Sequence, residues 1–142
     1  MPNSVCLDAS FVIRLLSSEA PDALALRWWR QAMGQGVAFY APPLLYFEVT
    51  NALYQYVRHR LLSPQTANAL LEQAQALDIR LYMDPALHQA ALQTAHRLKL
   101  PATYDAHYVA LAQRLGAELW TADQRLARTL RQQGFPVRVL TP

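Results

Sequence analysis

Four acidic side chains occupy positions where carboxylates from distant parts of the chain can be brought together. Asp8 ends an apolar run in the segment SVCLDAS, and Asp123 directly follows the apolar segment ELWTA. A carboxylate at the end of a buried strand is costly unless another group pairs with it. Glu48 and Asp105 fall where the sequence predicts the first turns of two helices. These four acids are therefore candidates for one shared site.

A divalent cation is the simplest group that would hold four such acids together. Crowded carboxylates repel one another unless they are protonated or neutralised, and a helix N-terminus supplies only about half a charge. Mg²⁺ prefers oxygen ligands and keeps several waters, and Mn²⁺ suits the same ligands. A cation bound in this way polarises a phosphate and lowers the pKa of a bound water. The sequence therefore predicts phosphodiester hydrolysis with one or two ions.

Each of the four acids also has a purely structural interpretation. Asp8, Asp105 and Asp123 are suited to the N-cap or first turn of a helix, where the helix dipole favours negative charge. Glu48 is compatible with an exposed position on a long helix. Both interpretations of each acid stay open at this point.

Two hydroxyl groups accompany the acids. Thr121 lies two residues before Asp123 in the segment TAD, where its hydroxyl would orient a carboxylate or a metal-bound water. Ser10 follows Asp8 at the same spacing, and we interpret it as an ordinary turn hydroxyl. Thr121 is therefore included in the predicted site, whereas Ser10 is not.

Short apolar strands alternate with helical segments along the chain, and this order predicts how the acids meet. The strand candidates are residues 5–7, 37–40, 78–83, 117–120 and 137–140, and Pro21 is expected to open the second helix. The alternation predicts right-handed β-α-β crossovers and an α/β fold, with three layers and a central, mostly parallel sheet of about five short strands flanked by helices. We expect residues 1–142 to form a single domain. Ligands bind outside the carboxyl ends of such strands, where all four acids are expected.

Composition limits the class of protein. The chain has 142 residues, 53% of them hydrophobic, with no apolar run long enough to span a bilayer and no signal-peptide pattern at the N-terminus. The single cysteine, Cys6, lies in an apolar strand and excludes an internal disulfide. We therefore expect a cytoplasmic protein without a membrane partner.

The charge pattern favours a polyanionic substrate. Thirteen basic residues face ten acidic ones, and only six of those acids remain outside the proposed site. Arg125, Arg128 and Arg131 recur at helical spacing just after Asp123, and Arg14 lies on the predicted first helix. Some of these arginines are expected to contact phosphates of such a substrate, although a solvated helix face explains the first three equally well.

Adjacent tryptophans and several tyrosines provide aromatic surface. Trp28 and Trp29 cannot both face the same core direction if they lie on one helix, so we expect one of them to meet a partner.

None of the four histidines is assigned as a ligand or base, because the spacing of Asp105 and His107 does not place both on one helix face.

Four segments of the chain resemble the PIN domain and, within it, the VapC-type toxins of bacterial toxin–antitoxin pairs. They are CLDASFVIRLL, APPLLYFEVTNAL, TYDAHYVALAQRLGAELWTAD and the QRLAR that follows. The resemblance implies a metal-dependent endoribonuclease that forms homodimers and pairs with a protein antitoxin lying along the early helices. It makes Asp8, Glu48, Asp105 and Asp123 an acidic quartet with Thr121 as supporting hydroxyl. The alternative is a catalytically silent PIN-like module that binds RNA or protein.

Overall fold

A parallel sheet forms the centre of the computed structural model, which describes residues 2–18, 20 and 23–140. Its five strands in chain order are β1 (Ser4–Leu7), β2 (Ala38–Ala41), β3 (Ile79–Leu81), β4 (Glu118–Thr121) and β5 (Arg138–Val139). Their order across the sheet is β3-β2-β1-β4-β5, and every neighbouring pair is parallel. The predicted α/β fold with a parallel sheet is confirmed.

Seven helices flank this sheet in the described part of the chain. They are α1 (Ala9–Leu16), α2 (Leu24–Gly34), α3 (Leu44–Arg58), α4 (Pro64–Ala76), α5 (Pro85–Arg97), α6 (Tyr104–Leu115) and α7 (Gln124–Gln132). Ser63 and Asp84 cap α4 and α5, each followed by a proline at the first helical position, where its missing N–H costs nothing. The expected helix start at Pro21 lies outside the described residues.

The central strand β1 explains why its sequence is continuously apolar. It pairs with β2 on one side and β4 on the other, and Val5, Cys6 and Leu7 are completely buried. A strand covered on both faces carries apolar side chains at successive positions rather than at alternate ones. The Cys6 thiol contacts the carbonyl oxygen of Tyr108, and burial raises the pKa of this thiol. Cys6 therefore acts as a small buried apolar residue.

An aromatic cluster packs α2 against the sheet. The ring of Trp28 lies 5.4 Å from that of Trp120 and 6.3 Å from that of Phe11, centroid to centroid. Trp29 stacks on Phe39 with its ring centroid 4.3 Å away. Both adjacent tryptophans therefore pack against the core, contrary to the expectation that only one of them could, and both remain partly exposed. A partner contact by one of them stays a prediction. The wide indole rings reach the sheet from neighbouring positions of one helix.

The outer strand β3 is shorter than the strand predicted at residues 78–83. It ends at Leu81, whose side chain is 48% exposed, and Met83 lies beyond the strand and is 39% exposed. An edge strand has only one neighbour, so its side chains are less completely covered.

Among the described residues, no helix combines the length and apolar character needed to cross a membrane.

Candidate active site

The topology places two of the four acids, Asp8 and Asp123, just after the carboxyl ends of the neighbouring strands β1 and β4. Asp8 directly follows β1 and is the N-cap of α1, where its Oδ1 accepts a hydrogen bond from the backbone N–H of Phe11 at 3.0 Å. Asp123 follows β4 and caps α7, where its Oδ1 accepts from the N–H groups of Arg125 and Leu126. The capping interpretation is therefore correct for both residues, and capping leaves their second carboxylate oxygens for other partners.

The other two acids lie within helices. Glu48 occupies the second turn of α3, and Asp105 lies in the first turn of α6 and is not its N-cap. The charges of Glu48 and Asp123 raise the pKa of Asp105, and the charge of Asp105 contributes to raising that of Asp8. Asp105 thus lies within electrostatic range of the other three carboxylates.

Two hydroxyl groups hold Asp8 in place. The Ser10 Oγ donates to Asp8 Oδ1 at 2.7 Å, and the Thr121 Oγ1 donates to Asp8 Oδ2. Each hydroxyl also accepts a backbone N–H, from Ala122 to Ser10 and from Asp123 to Thr121, both at 3.0 Å. Hydrogen bonds that are linked in series in this way polarise and strengthen one another. Ser10 therefore belongs to the site, and its interpretation as an ordinary turn hydroxyl is wrong.

Burial and mutual repulsion make two carboxylates of the site reluctant to ionise. Burial raises the pKa of Asp8 to about 6, although the hydrogen bonds from Ser10, Thr121 and the Phe11 N–H act in the opposite direction. Partial burial and the charges of Glu48 and Asp123 raise the pKa of Asp105 to about 6. A cation bound between these groups would stabilise their ionised forms.

Glu48 has a specific partner on a different helix. The hydroxyl of Tyr108, a completely buried residue of α6, donates to Glu48 Oε1 at 2.6 Å. Burial and the negative charge of Glu48 raise the pKa of Tyr108, so the phenol remains protonated and can act as the donor. The contact joins α3 to α6 across the site.

The donor chemistry suits a hard divalent cation, but the acids do not form a closed set of ligands. In the described part of the chain, no three His, Cys, Asp or Glu side chains are arranged to hold a metal ion as they stand. The four acids supply only carboxylate oxygens, the ligands that Mg²⁺ and Mn²⁺ prefer.

A groove of about 420 Å³ leads to the acids from one side and is partly polar. Arg14, Ser10 and Glu48 line it, so a basic residue borders the same groove as one of the four acids. Next to it lies a second groove of about 330 Å³ between α1, α3 and α4, which shares Ile13 and Tyr56 with the first. The two grooves are thus adjacent, and of the four acids only Glu48 lines either of them.

The predicted RNA-contacting arginines differ in their surroundings. Arg125 and Arg128 are exposed on α7 near Asp123. The guanidinium of Arg131 donates to the carbonyl oxygen of Val137 at 3.1 Å and lines a different cavity. Arg14 therefore borders the groove that contains Glu48, whereas the guanidinium of Arg131 is engaged elsewhere.

Two contacts near the site lie beyond what the sequence analysis identified. Tyr108 follows Asp105 by three positions, a spacing that places both on one helix face and could have suggested a shared role. His88 Nδ1 and His107 Nε2 lie 2.9 Å apart, and His107 Nδ1 lies 2.6 Å from the carbonyl oxygen of Thr103. The histidine pair joins α5 to α6, and no sequence spacing signals it.

Comparison with known proteins identifies the family of this fold and site. A family model of the PIN domain matches residues 5–131. Ribonuclease VapC3 of Pyrobaculum aerophilum is 32% identical over 125 residues, which cover 85% of this chain and 90% of that protein. Ribonuclease VapC1 of Mycobacterium tuberculosis is 34% identical over 122 residues, which cover 85% of this chain and 86% of that protein. The chain therefore belongs to the PIN-domain family and is of the VapC type.

Comparison of structures agrees with this assignment at the level of the fold. The crystal structure of Mycobacterium tuberculosis VapC20, a sarcin–ricin loop cleaving toxin, matches with a TM-score of 0.65. The match covers 94% of this chain and 98% of VapC20 at 18% sequence identity. At this low sequence identity, the structural similarity shows that the two proteins share a fold.

Proposed function

We propose that this protein is a divalent-metal-dependent endoribonuclease and the toxin of a toxin–antitoxin pair, with residues 1–142 acting as one nuclease domain. The observation that carries the proposal is the placement of Asp8 and Asp123 after the neighbouring parallel strands β1 and β4. Asp105 lies near them, since burial and then the charges of Glu48 and Asp123 raise its pKa. Charge repulsion of this kind is maintained at functional sites more often than elsewhere. The relatives named ribonuclease VapC support RNA as the substrate.

The side chains of the site have distinct roles in this proposal. Asp8, Glu48, Asp105 and Asp123 would hold Mg²⁺, for which Mn²⁺ is a plausible substitute. A bound cation of this kind polarises a phosphate and makes water a better nucleophile at neutral pH. Thr121 keeps Asp8 ionised and oriented through its hydrogen bond. Arg14 would bind an RNA phosphate in the groove that it shares with Glu48.

The proposed antitoxin would occupy the apolar groove between α1, α3 and α4. Ile13, Leu53, Leu62 and Leu70 line this groove, and it continues towards the acids. A peptide seated there would bury these side chains and block access of RNA to Glu48. The proposed RNA substrate and antitoxin both place the protein in the cytoplasm.

The proposed homodimer would form through a separate apolar face around the start of α3. Phe47 is 74% exposed and Tyr104 is 62% exposed, and both line a cavity of about 290 Å³ with Met83 and Leu44. Exposed apolar side chains that lie together mark interaction surfaces more often than isolated ones do.

Cleavage by purified protein tests the proposed activity. Protein freed of antitoxin should cut structured RNA in the presence of Mg²⁺ and stop when EDTA is added. Sequencing of the cleaved ends after induction of the wild type and of Asp8→Asn would identify the cuts that depend on the site. Normal cutting by Asp8→Asn would refute the mechanism.

A silent PIN-like binding module is the second candidate. It is favoured by the fact that no three potential ligands among the described residues form a ready metal site. Tight RNA binding without metal-dependent cleavage of any RNA, ribosomal RNA included, would support this module and oppose the nuclease.

A further inference from the structure

We propose that Tyr108 is a positioning residue that holds the Glu48 carboxylate in the orientation needed to bind a divalent cation. The inference rests on the proposed metal-dependent function and adds to it a residue outside the acidic quartet. Tyr108 touches neither RNA nor the cation in this proposal, and it acts only through Glu48.

The contact itself is short and well protected. The phenol oxygen lies 2.6 Å from Glu48 Oε1, the distance of a strong hydrogen bond between a hydroxyl and an ionised carboxylate. Tyr108 has 0% relative exposure, so its hydroxyl needs a partner inside the protein, and Glu48 provides that partner. Exchange of this hydrogen bond for one to water is therefore disfavoured.

Fixing one carboxylate oxygen prepares the other for a ligand. A free glutamate side chain loses conformational entropy when it is held in one arrangement. Tyr108 restrains Glu48 at Oε1, and no hydrogen bond among the described residues engages Oε2, which would therefore be available as a ligand. Metal ligands held by such outer partners bind more tightly than unrestrained ones.

The helix geometry brings a ligand and its support together. Asp105 and Tyr108 are three positions apart on α6 and so lie on one face of that helix. Glu48 interacts with both, since its charge raises the pKa of Asp105 and its carboxylate accepts from Tyr108. One turn of α6 thus carries both Asp105, a proposed ligand, and Tyr108, the residue that positions Glu48 on α3.

Substitution Tyr108→Phe removes only the hydroxyl, and Tyr46→Phe is its matched control. Tyr46 lies on α3 two residues before Glu48, and its hydroxyl donates to the Ala74 carbonyl oxygen at 3.1 Å, away from the acids. Binding of Mn²⁺ to metal-stripped protein is measured by electron paramagnetic resonance and calorimetry. We expect Tyr108→Phe to weaken Mn²⁺ binding by about 10- to 100-fold. Tyr46→Phe should bind Mn²⁺ as the wild type does.

A double-mutant cycle tests whether Tyr108 acts through Glu48. In a Glu48→Gln background, Tyr108→Phe should cause no further loss of Mn²⁺ affinity. Cleavage by Tyr108→Phe should recover at high Mn²⁺ with an unchanged KM for RNA, which a general packing defect would not produce.

Several outcomes would overturn the inference. Wild-type Mn²⁺ affinity in Tyr108→Phe, or an equal loss in both backgrounds, would remove the link to Glu48. An unfolded Tyr108→Phe beside a folded Tyr46→Phe would assign the hydroxyl a structural role instead. Failure of the wild type to bind Mn²⁺ at all would refute the proposed function itself, which distinguishes the two failures.

Discussion

Thr121 donates a hydrogen bond to Asp8 between two neighbouring parallel strands, linking residues 113 positions apart in the sequence. Both residues are buried, with 0% and 4% exposure. The Thr121 hydroxyl stabilises the ionised carboxylate and so opposes the burial that raises the pKa of Asp8 to about 6. Asp8 is therefore charged at neutral pH partly because Thr121 is present.

Replacement of Thr121 by valine should shift the pH dependence of cleavage. A hydrogen bond to a charged group contributes about 1.5–3 kcal/mol, and one pKa unit corresponds to about 1.4 kcal/mol. We expect the pKa of Asp8 to rise further and the acid limb of kcat/KM against pH to move up by about one unit. Thr129→Val is the control, because the Thr129 hydroxyl bonds only the Arg125 carbonyl oxygen of its own helix. An unmoved acid limb in Thr121→Val would contradict the role of this hydroxyl.

The metal-free protein should become less stable as the pH rises. The folded-state pKa of Asp8 is about 6, against an ordinary value of 3.8, so its stabilising contribution is complete below pH 3.8 and lost as the pH passes 6. The fall in the free energy of unfolding is at most about 3 kcal/mol. Asp105 acts in the same direction. Urea unfolding with EDTA between pH 5 and pH 8 measures the part of this loss that falls above pH 5, about 1.4 kcal/mol for Asp8.

Two comparisons connect that pH dependence to the site. Asp8→Asn keeps the capping oxygen but cannot ionise, so its stability should vary much less with pH. Exposed Asp78→Asn should behave as the wild type does. Mg²⁺ should restore wild-type stability at pH 8 more than at pH 5, since a cation stabilises the ionised carboxylates. A wild-type slope in Asp8→Asn would show that the pH dependence arises elsewhere.

The order of strands and helices is predictable from this sequence because clear end signals separate the elements. Ser63 with Pro64 and Asp84 with Pro85 mark two helix starts, and Gly116 adopts the left-handed conformation, with φ of 61°, that ends α6. Chain order and right-handed crossovers are then sufficient to predict a parallel sheet. The family match and the structural comparison confirm that fold.

The contacts between side chains were less accessible to sequence reasoning. Tyr108 and Glu48 are 60 positions apart, and their pairing depends on how α6 faces α3. Ser10 looks like any turn hydroxyl until β4 is placed beside β1, which brings Thr121 to within 3.1 Å of it. Trp28 and Trp29 both reach the core because the sheet beneath α2 is wide enough to receive two indole rings.

Arg14→Ala should weaken RNA binding in a salt-dependent manner. Arg14 lines the groove that contains Glu48, and its loss would remove one phosphate contact. For single-stranded RNA, the slope of log K against log salt should become shallower by about 0.7. Fluorescence anisotropy with metal-free protein over a KCl series measures this slope. Arg97→Ala is the control, because Arg97 is exposed on α5 and hydrogen-bonds Gln113. Equal slopes in both variants would argue against Arg14 as a phosphate ligand.

Phe47→Arg should dissociate the proposed homodimer while leaving the antitoxin groove intact. Phe47 is 74% exposed on the apolar face with Tyr104 and Met83, and a buried, unpaired guanidinium there would cost several kcal/mol. Leu61→Arg is the control, since Leu61 is 68% exposed and lines the separate groove between α1, α3 and α4. Light scattering during size-exclusion chromatography should give a dimer for wild type and Leu61→Arg and a monomer for Phe47→Arg. A dimer in all three proteins would place self-association on another surface, because an arginine at the centre of a packed interface cannot be accommodated without a partner for its charge.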